Sequence, residues 1–335
     1  MLSPKNNWRQ DNSCFLQRNK GTQKMTSLYT FFTIFPEVIA RMGKLEQLAV
    51  DAHERFMSDQ DSEGPILNLD FLDLVRNSLV SIFQSPDTNL PHLTYLCLIL
   101  PSVYDLATVG AALSNHAAAR LRHLYLEYTD ATGPGGSLDY RTWFWEYGIV
   151  DDGIGGYPYS NLQKQYSNDD YMSNLWVFVN RCRNLESLSV IGTQLLGCSA
   201  MDWQPEADGL KRVHLSRAAM TYDNVVQLLS PSGGGGSNVV ALWLEDVELM
   251  DRTWTDVFQY LTACEAIKFL EIWNLNYHQF GESSGFRGNY DGRPWENSAE
   301  IWSHNEEDGE RLADLVQTVL QRGGKLGQNL EEYDY

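Results

Sequence analysis

Apolar residues along the chain recur in a six-residue frame, apolar-x-x-apolar-x-apolar, filled mostly by leucine. In chain order the frame appears as Leu45-Leu48-Val50, Leu93-Leu96-Leu98, Leu121-Leu124-Leu126 and Leu185-Leu188-Val190. It continues as Leu210-Val213-Leu215, Val239-Leu242-Leu244 and Ile267-Leu270-Ile272. The first residues of successive copies stand 48, 28, 64, 25, 29 and 28 positions apart. The first gap fits two units with a degenerate copy near residues 71–74, and the 64-residue gap fits one unit plus an insertion. The last two apolar positions of each copy are two apart, so both side chains point to one face of a strand. Helical periodicity fills the spaces between copies, at residues 102–119, 223–229 and 254–261, with Asp251 or Thr253 placed to cap the last of these. The predicted order is strand, turn and helix, repeated, and no single unit can bury its apolar face alone.

The pattern resembles leucine-rich-repeat proteins over roughly residues 45–275. That resemblance implies an α/β fold, a leucine-rich-repeat solenoid in which a curved parallel sheet carries outer helices, with irregular repeats and insertions. The Asn or Cys of the common repeat is replaced here by Thr129, Thr193, Ala218 and Val247. Residues 1–24 read as a basic disordered segment, and 25–275 as the solenoid with an insertion at 130–170. Residues 276–335 read as an irregular loop, a capping helix at 311–322 and an acidic tail.

Composition narrows the function. The chain has 335 residues, 43% of them hydrophobic, which is enough apolar surface for a sizeable core. A formal net charge of −19 opposes non-specific binding to nucleic acid. The five cysteines are scattered and form no C-x-x-C pair, which points to reduced thiols rather than a disulfide framework or a zinc site. No signal-peptide core or bilayer-length apolar run is legible, so the sequence predicts an intracellular protein, cytoplasmic or nuclear, with no membrane partner.

Catalytic signatures are lacking: the seven histidines follow no H-E-x-x-H spacing, and no nucleophile elbow, Walker motif or dinucleotide fingerprint occurs. The glycine-rich stretch at 230–238 lacks the Lys-Ser/Thr ending of a phosphate-binding loop. The acidic pairs Asp151-Asp152 and Asp169-Asp170 read as solvated loop residues. The expectation is therefore no enzyme, no cofactor and no metal. The candidate chemistry lies on the strand positions between the core leucines, which would line the concave face. These are Tyr95, His123, Tyr125, Glu127, Arg212, His214, Trp243, Glu245, Phe269, Glu271 and Trp273, a set rich in the aromatics that anchor interfaces. The insertion adds Trp143, Trp145 and Tyr147. A protein partner is expected; the alternative is a carbohydrate-active or carbohydrate-binding protein using the aromatic insertion. Residues 252–261 (RTWTDVFQYL) and 319–330 (VLQRGGKLGQNL) resemble the substrate-recognition part of F-box/leucine-rich-repeat proteins of filamentous fungi. That resemblance implies substrate recognition for a ubiquitin ligase and a Skp-type adaptor as partner. The F-box itself is not visible: residues 1–44 offer one helix, around 25–42, and no Leu-Pro-x-Glu-like opening.

Overall fold

The structure, a computed structural model, describes residues 23–42, 44–52, 56–57, 66–85, 90–132, 159–205, 209–230, 237–279, 282–283, 299–301, 303 and 305–327. In chain order its elements are α1 (Gln23–Arg41), β1 (Gln47–Asp51), β2 (Phe56–Met57), β3 (Ile66–Leu67) and α2 (Leu69–Gln84). There follow β4 (Tyr95–Leu100), α3 (Val103–Ala112), α4 (Asn115–Ala118), β5 (His123–Tyr128), α5 (Asn161–Gln165) and α6 (Asn168–Arg181). The second half holds β6 (Ser187–Gly197), β7 (Arg212–Met220), α7 (Tyr222–Leu229), β8 (Ala241–Glu245), β9 (Glu248–Leu249) and α8 (Trp254–Ala263). Last come β10 (Phe269–Gln279), β11 (Glu282–Ser283), β12 (Ala299–Ile301), α9 (Glu306–Gln321) and β13 (Lys325–Leu326).

Strands β1, β4, β5, β6, β7, β8 and β10 pair side by side in that order, all parallel. The apolar frame explains why: Leu93, Leu96 and Leu98, Leu121, Leu124 and Leu126, and Ile267, Leu270 and Ile272 are all essentially inaccessible. They form one continuous core with Leu79 of α2, Val109 of α3, Phe178 of α6, Phe258 of α8 and Val316 of α9. Each fully buried leucine contributes on the order of 1.5–3 kcal/mol.

The expectation of a leucine-rich-repeat solenoid, an open curved sheet, is not met. Strands β7 and β10 run 9 and 11 residues, whereas β8 stops at Glu245. Both long strands then pair in parallel with the two residues of β9. The pairs β7–β8, β8–β10, β10–β9 and β9–β7 therefore close on themselves, by pairing a four-strand parallel barrel, with the further strands outside it. The backbone supplies the reason. Arg217, Asp246 and Asn274 stand abreast, each one residue past the register row Ser216, Glu245 and Trp273, and all three have φ between 51 and 57°. A left-handed residue at Asp246 splits one strand into two, an event that hydrophobic spacing does not encode. The class is mixed α/β.

Other local expectations are also revised. No degenerate strand lies near 71–74; α2 runs through it, begun by Asn68 Oδ1 accepting from Phe71 N–H and burying Leu72, Val75, Leu79 and Ile82 on one stripe. The helix at 102–119 is two helices, α3 and α4, each started by a serine, Ser102 and Ser114. Thr253, not Asp251, caps α8, in a reciprocal box with Asp256; Asp251 instead accepts from Tyr222 N–H at the start of α7 (2.7 Å). Part of the insertion at 130–170 is helical, and Asp169 and Asp170 occupy the first turn of α6, where the helix dipole favours carboxylates. The basic segment at 1–22, the insertion residues 133–158 and the acidic tail from 328 lie outside the described residues.

Polar side chains tie the layers together. Asp130, fully buried, accepts from Thr132 N–H and Oγ1 and from Ser160 Oγ, while Ser160 N–H donates to Thr132 Oγ1. The chain leaving β5 is thus joined directly to the chain entering α5. Thr193 on β6 donates to the carbonyls of Tyr128 and Asp130, and Asn168 Nδ2 donates to Gln194 Oε1 (2.8 Å). At the other end, fully buried Asp308 of α9 accepts from five donors on Thr255, Tyr277, Ser303 and Asn305. Among the described residues no helix is long and apolar enough to cross a membrane.

Candidate functional site

Because the parallel pairs keep one register from β1 to β10, the strand positions opposite the core fall into three rows across the sheet. The first row is Gln47, Tyr95, His123, Ser187, Arg212, Ala241, Phe269 and Lys325. The second is Ala49, Cys97, Tyr125, Ser189, His214, Trp243 and Glu271, and the third is Asp51, Ile99, Glu127, Ile191, Ser216, Glu245 and Trp273. Neighbouring positions in a row are one strand spacing apart, about 4.8 Å. All eleven strand residues singled out from the sequence lie in these rows. The periodicity that located them also marks members it had passed over, Gln47, Ala49, Asp51, Ile99, Ile191 and Ser216, whereas Lys325 lies outside the frame and joins the first row only through its pairing with Phe269.

The rows are not uniformly open. Trp243 and Phe269 are buried, with ring centroids 4.7 Å apart, and with Ala241 they form an apolar cluster separate from the main core. Both rings are on the face that the spacing assigned to them but are withdrawn from its surface. His214 packs beside Trp243 and is itself only 8% exposed. Tyr95, His123, Tyr125, Glu127, Arg212, Glu245 and Glu271 are half-buried, and Trp273 is exposed. Trp143, Trp145 and Tyr147 lie outside the described residues.

Charge is sorted across the face. Arg212, Lys325 and the His123 ring lie in the first row, and the carboxylates Asp51, Glu127 and Glu245 in the third. The Tyr125 hydroxyl donates to Glu127 Oε2 at 2.5 Å, and His214 Nε2 stands 3.6 Å from Glu245 Oε1. Burial holds the His123 pKa below its usual value; Arg212, Arg122 and Lys211 add to this against the opposing pull of Glu186. Cys97 is a poor nucleophile: burial, then the nearby Glu127 and Asp51, push its thiol up to about 12. The other described cysteines, Cys182, Cys198 and Cys264, are free thiols in buried positions. No group of three or more potential metal ligands occurs among the described residues. What the arrangement offers is a broad surface of aromatic rings and sorted charge.

Comparison with known proteins finds no match to a family model, a curated protein or a solved structure.

Proposed function

We propose that this chain is a protein-binding module whose partner docks on the three-row face of the parallel sheet. The observation that carries the reading is the common register, which sets Tyr95, His123, Tyr125, Glu127, Arg212, Glu245, Glu271 and Trp273 on one continuous surface. Tyrosine, tryptophan and arginine are the residues on which interface energy concentrates. Buried Trp243, Phe269 and His214 support that surface from within rather than contact the partner. Reduced cysteines suit an intracellular setting. The narrower reading, substrate recognition for a ubiquitin ligase, rests on the sequence resemblance alone, and the carbohydrate alternative rests on insertion residues outside the described ones.

The test is quantitative affinity capture of the tagged chain from its own cells, beside Tyr125→Ala and Trp273→Ala variants of unchanged thermal stability. The expected result is a defined set of proteins whose recovery falls at least tenfold in one or both variants. Equal recovery in all three samples refutes the assignment of this face.

A further inference from the structure

We infer that two copies of this chain associate about a two-fold axis at the β1 end of the sheet, joining their β1 strands edge to edge and packing the outer stripe of α1 on its counterpart. The inference stands apart from the protein-binding reading above, because it concerns the edge of the sheet rather than its face.

The two ends of the sheet are finished differently. At one end β10 pairs with β8, β9, β12 and β13, and α9 packs alongside. At the other end β1 pairs with β4 alone among the described residues. The Glu46 carbonyl accepts from Thr94 and Tyr95 N–H, and Ala52 N–H donates to the Ile99 carbonyl, so the even-numbered residues here bond toward β4. Alternate residues of a parallel strand bond to opposite sides, which aims the backbone N–H and C=O of Gln47 and Ala49 outward, and both residues are exposed. No proline or lysine lies within β1, the residues by which a monomer blunts such an edge.

Helix α1 gives an independent indication at the same end. Its Phe32 and Ile39 are buried in the main core, but Phe31, Ile34 and Val38, with Met42 one residue past the helix, are 44, 47, 42 and 51% exposed. The spacing i, i+3, i+7, i+11 sets these four on one stripe. They are four of the eleven exposed large apolar residues among the described ones, so the exposure is concentrated rather than scattered. Phe31 is already held in place, stacked on Phe35 at 5.1 Å. Glu37 and Arg41, beside the stripe, pair with each other at 3.9 Å and leave it no net charge to repel a copy.

A second copy is the occupant because both features are complementary to themselves. A two-fold axis normal to the sheet at Ala49 sets β1 antiparallel to its copy, with Ala49 opposite Ala49 and Gln47 opposite Asp51, amide against carboxylate, so no like charges meet. The same axis keeps both α1 helices on one side of the sheet and runs them antiparallel. Centred between Ile34 and Val38, the stripes then oppose Phe31 to Met42, ring against thioether, and Ile34 to Val38. At these exposures the stripe offers on the order of 400 Å² of apolar surface per copy. With the strand edges included, two copies bury roughly 1,200 Å², the lower bound of a stable interface. The product is one sheet in which the three-row face of each copy continues into the other.

Sedimentation velocity of the whole chain between about 1 and 100 µM reads the association directly. The expected result is a monomer–dimer equilibrium with a micromolar dissociation constant, as an interface near the lower size bound gives. Ile34→Lys puts a charge into the stripe, and Ala49→Pro removes an outward N–H without breaking a bond to β4; each is expected to weaken the dimer about tenfold or more. Both positions are exposed, so unchanged thermal unfolding checks that the variants fold. The register is read separately, and this keeps the edge testable if Ala49→Pro does not fold. Opposed Ala49 residues stand about 5.5 Å apart at Cα, within disulfide reach. Ala49→Cys, combined with Cys97→Ala to remove the thiol on the neighbouring strand, is therefore expected to crosslink copy to copy through position 49 on mild oxidation, as peptide mapping shows. A chain that stays monomeric to about 100 µM, a dimer that either folded variant leaves intact, or the absence of that crosslink overturns the inference.

Discussion

Removing the Asp308 carboxylate tests whether the C-terminal helix is held by one buried anion. Oδ1 accepts from Thr255 N–H and Thr255 Oγ1, both at 2.8 Å, and from Asn305 Nδ2 at 3.3 Å. Oδ2 accepts from the Tyr277 hydroxyl at 2.7 Å and from Ser303 Oγ at 2.5 Å. The Tyr277 oxygen in turn accepts from Trp254 N–H at 2.9 Å, so the carboxylate orders the first turn of α8 through two routes. In Asp308→Ala the half-buried Thr255 amide and Tyr277 hydroxyl lose their acceptor, at about 1–3 kcal/mol each. Asn305 is exposed and its amide regains water. The sum is a destabilisation of about 3–5 kcal/mol, a large share of the roughly 5–15 kcal/mol that holds a typical domain. Urea unfolding followed by fluorescence reads it as a lower midpoint with an unchanged slope. Asp308→Asn keeps one acceptor oxygen but turns an amide N–H₂ toward donors, and an intermediate loss is expected. A loss below about 1 kcal/mol in the alanine variant refutes the reasoning, because it means those donors find other acceptors.

Three further perturbations address other parts of the fold. Pro36 inside α1 has no N–H for the Phe32 carbonyl, and Ser78 Oγ of α2 donates to that carbonyl at 2.8 Å; Ser78→Ala is expected to cost about 1–2 kcal/mol in the same unfolding assay, and a neutral result removes the hydroxyl's role. A Cβ at Gly192 would overlap the phenol of fully buried Tyr128, so Gly192→Ala is expected to destabilise by about 2–3 kcal/mol and to be partly rescued by Tyr128→Leu; additive effects in the double-mutant cycle refute the steric account. Because the His123 pKa is lowered by folding, the unfolded chain binds more protons as pH falls below about 6.5, so this residue subtracts stability on the acid side and nothing above it. His123→Gln is therefore expected to flatten the loss of stability between about pH 6.5 and 5, and an NMR titration midpoint at or above about 6.5 contradicts the sign.

What the sequence made legible is what depends on short spacing. The leucine frame located the strands β1, β4, β5, β6, β7, β8 and β10, because residues two apart on a strand must share a face and residues such as Leu96 and Leu98 must leave water together. The same alternation put Tyr125, Glu127, Glu245 and Trp273 on the opposite face without any structural input. What stayed hidden depends on residues distant in sequence. Thr193 bonds Asp130 across 63 positions, and Thr255 bonds Asp308 across 53, with no local pattern to announce either. The closure of the pairing through β9 turns on one left-handed residue, Asp246, and an aspartate in that conformation looks in sequence like any other exposed acid.

Burial of the face illustrates the same limit and bears on function. Trp243 and Phe269 occupy strand positions equivalent to those of Tyr125 and Tyr95, yet two of the four rings are buried and two half-exposed. Alternation assigns a side to each residue but not the depth of what lies over that side. The difference sorts the candidates. Rings already out of water contribute to the fold and have little apolar surface left to give a partner, whereas Trp273 still has 41% of its surface to give. A partner that docks by desolvating aromatics therefore gains more at the third row, around Trp273, Glu245 and Glu127, than at the Trp243–Phe269 cluster. The carboxylates of that row then decide the sign of the charge the partner must bring.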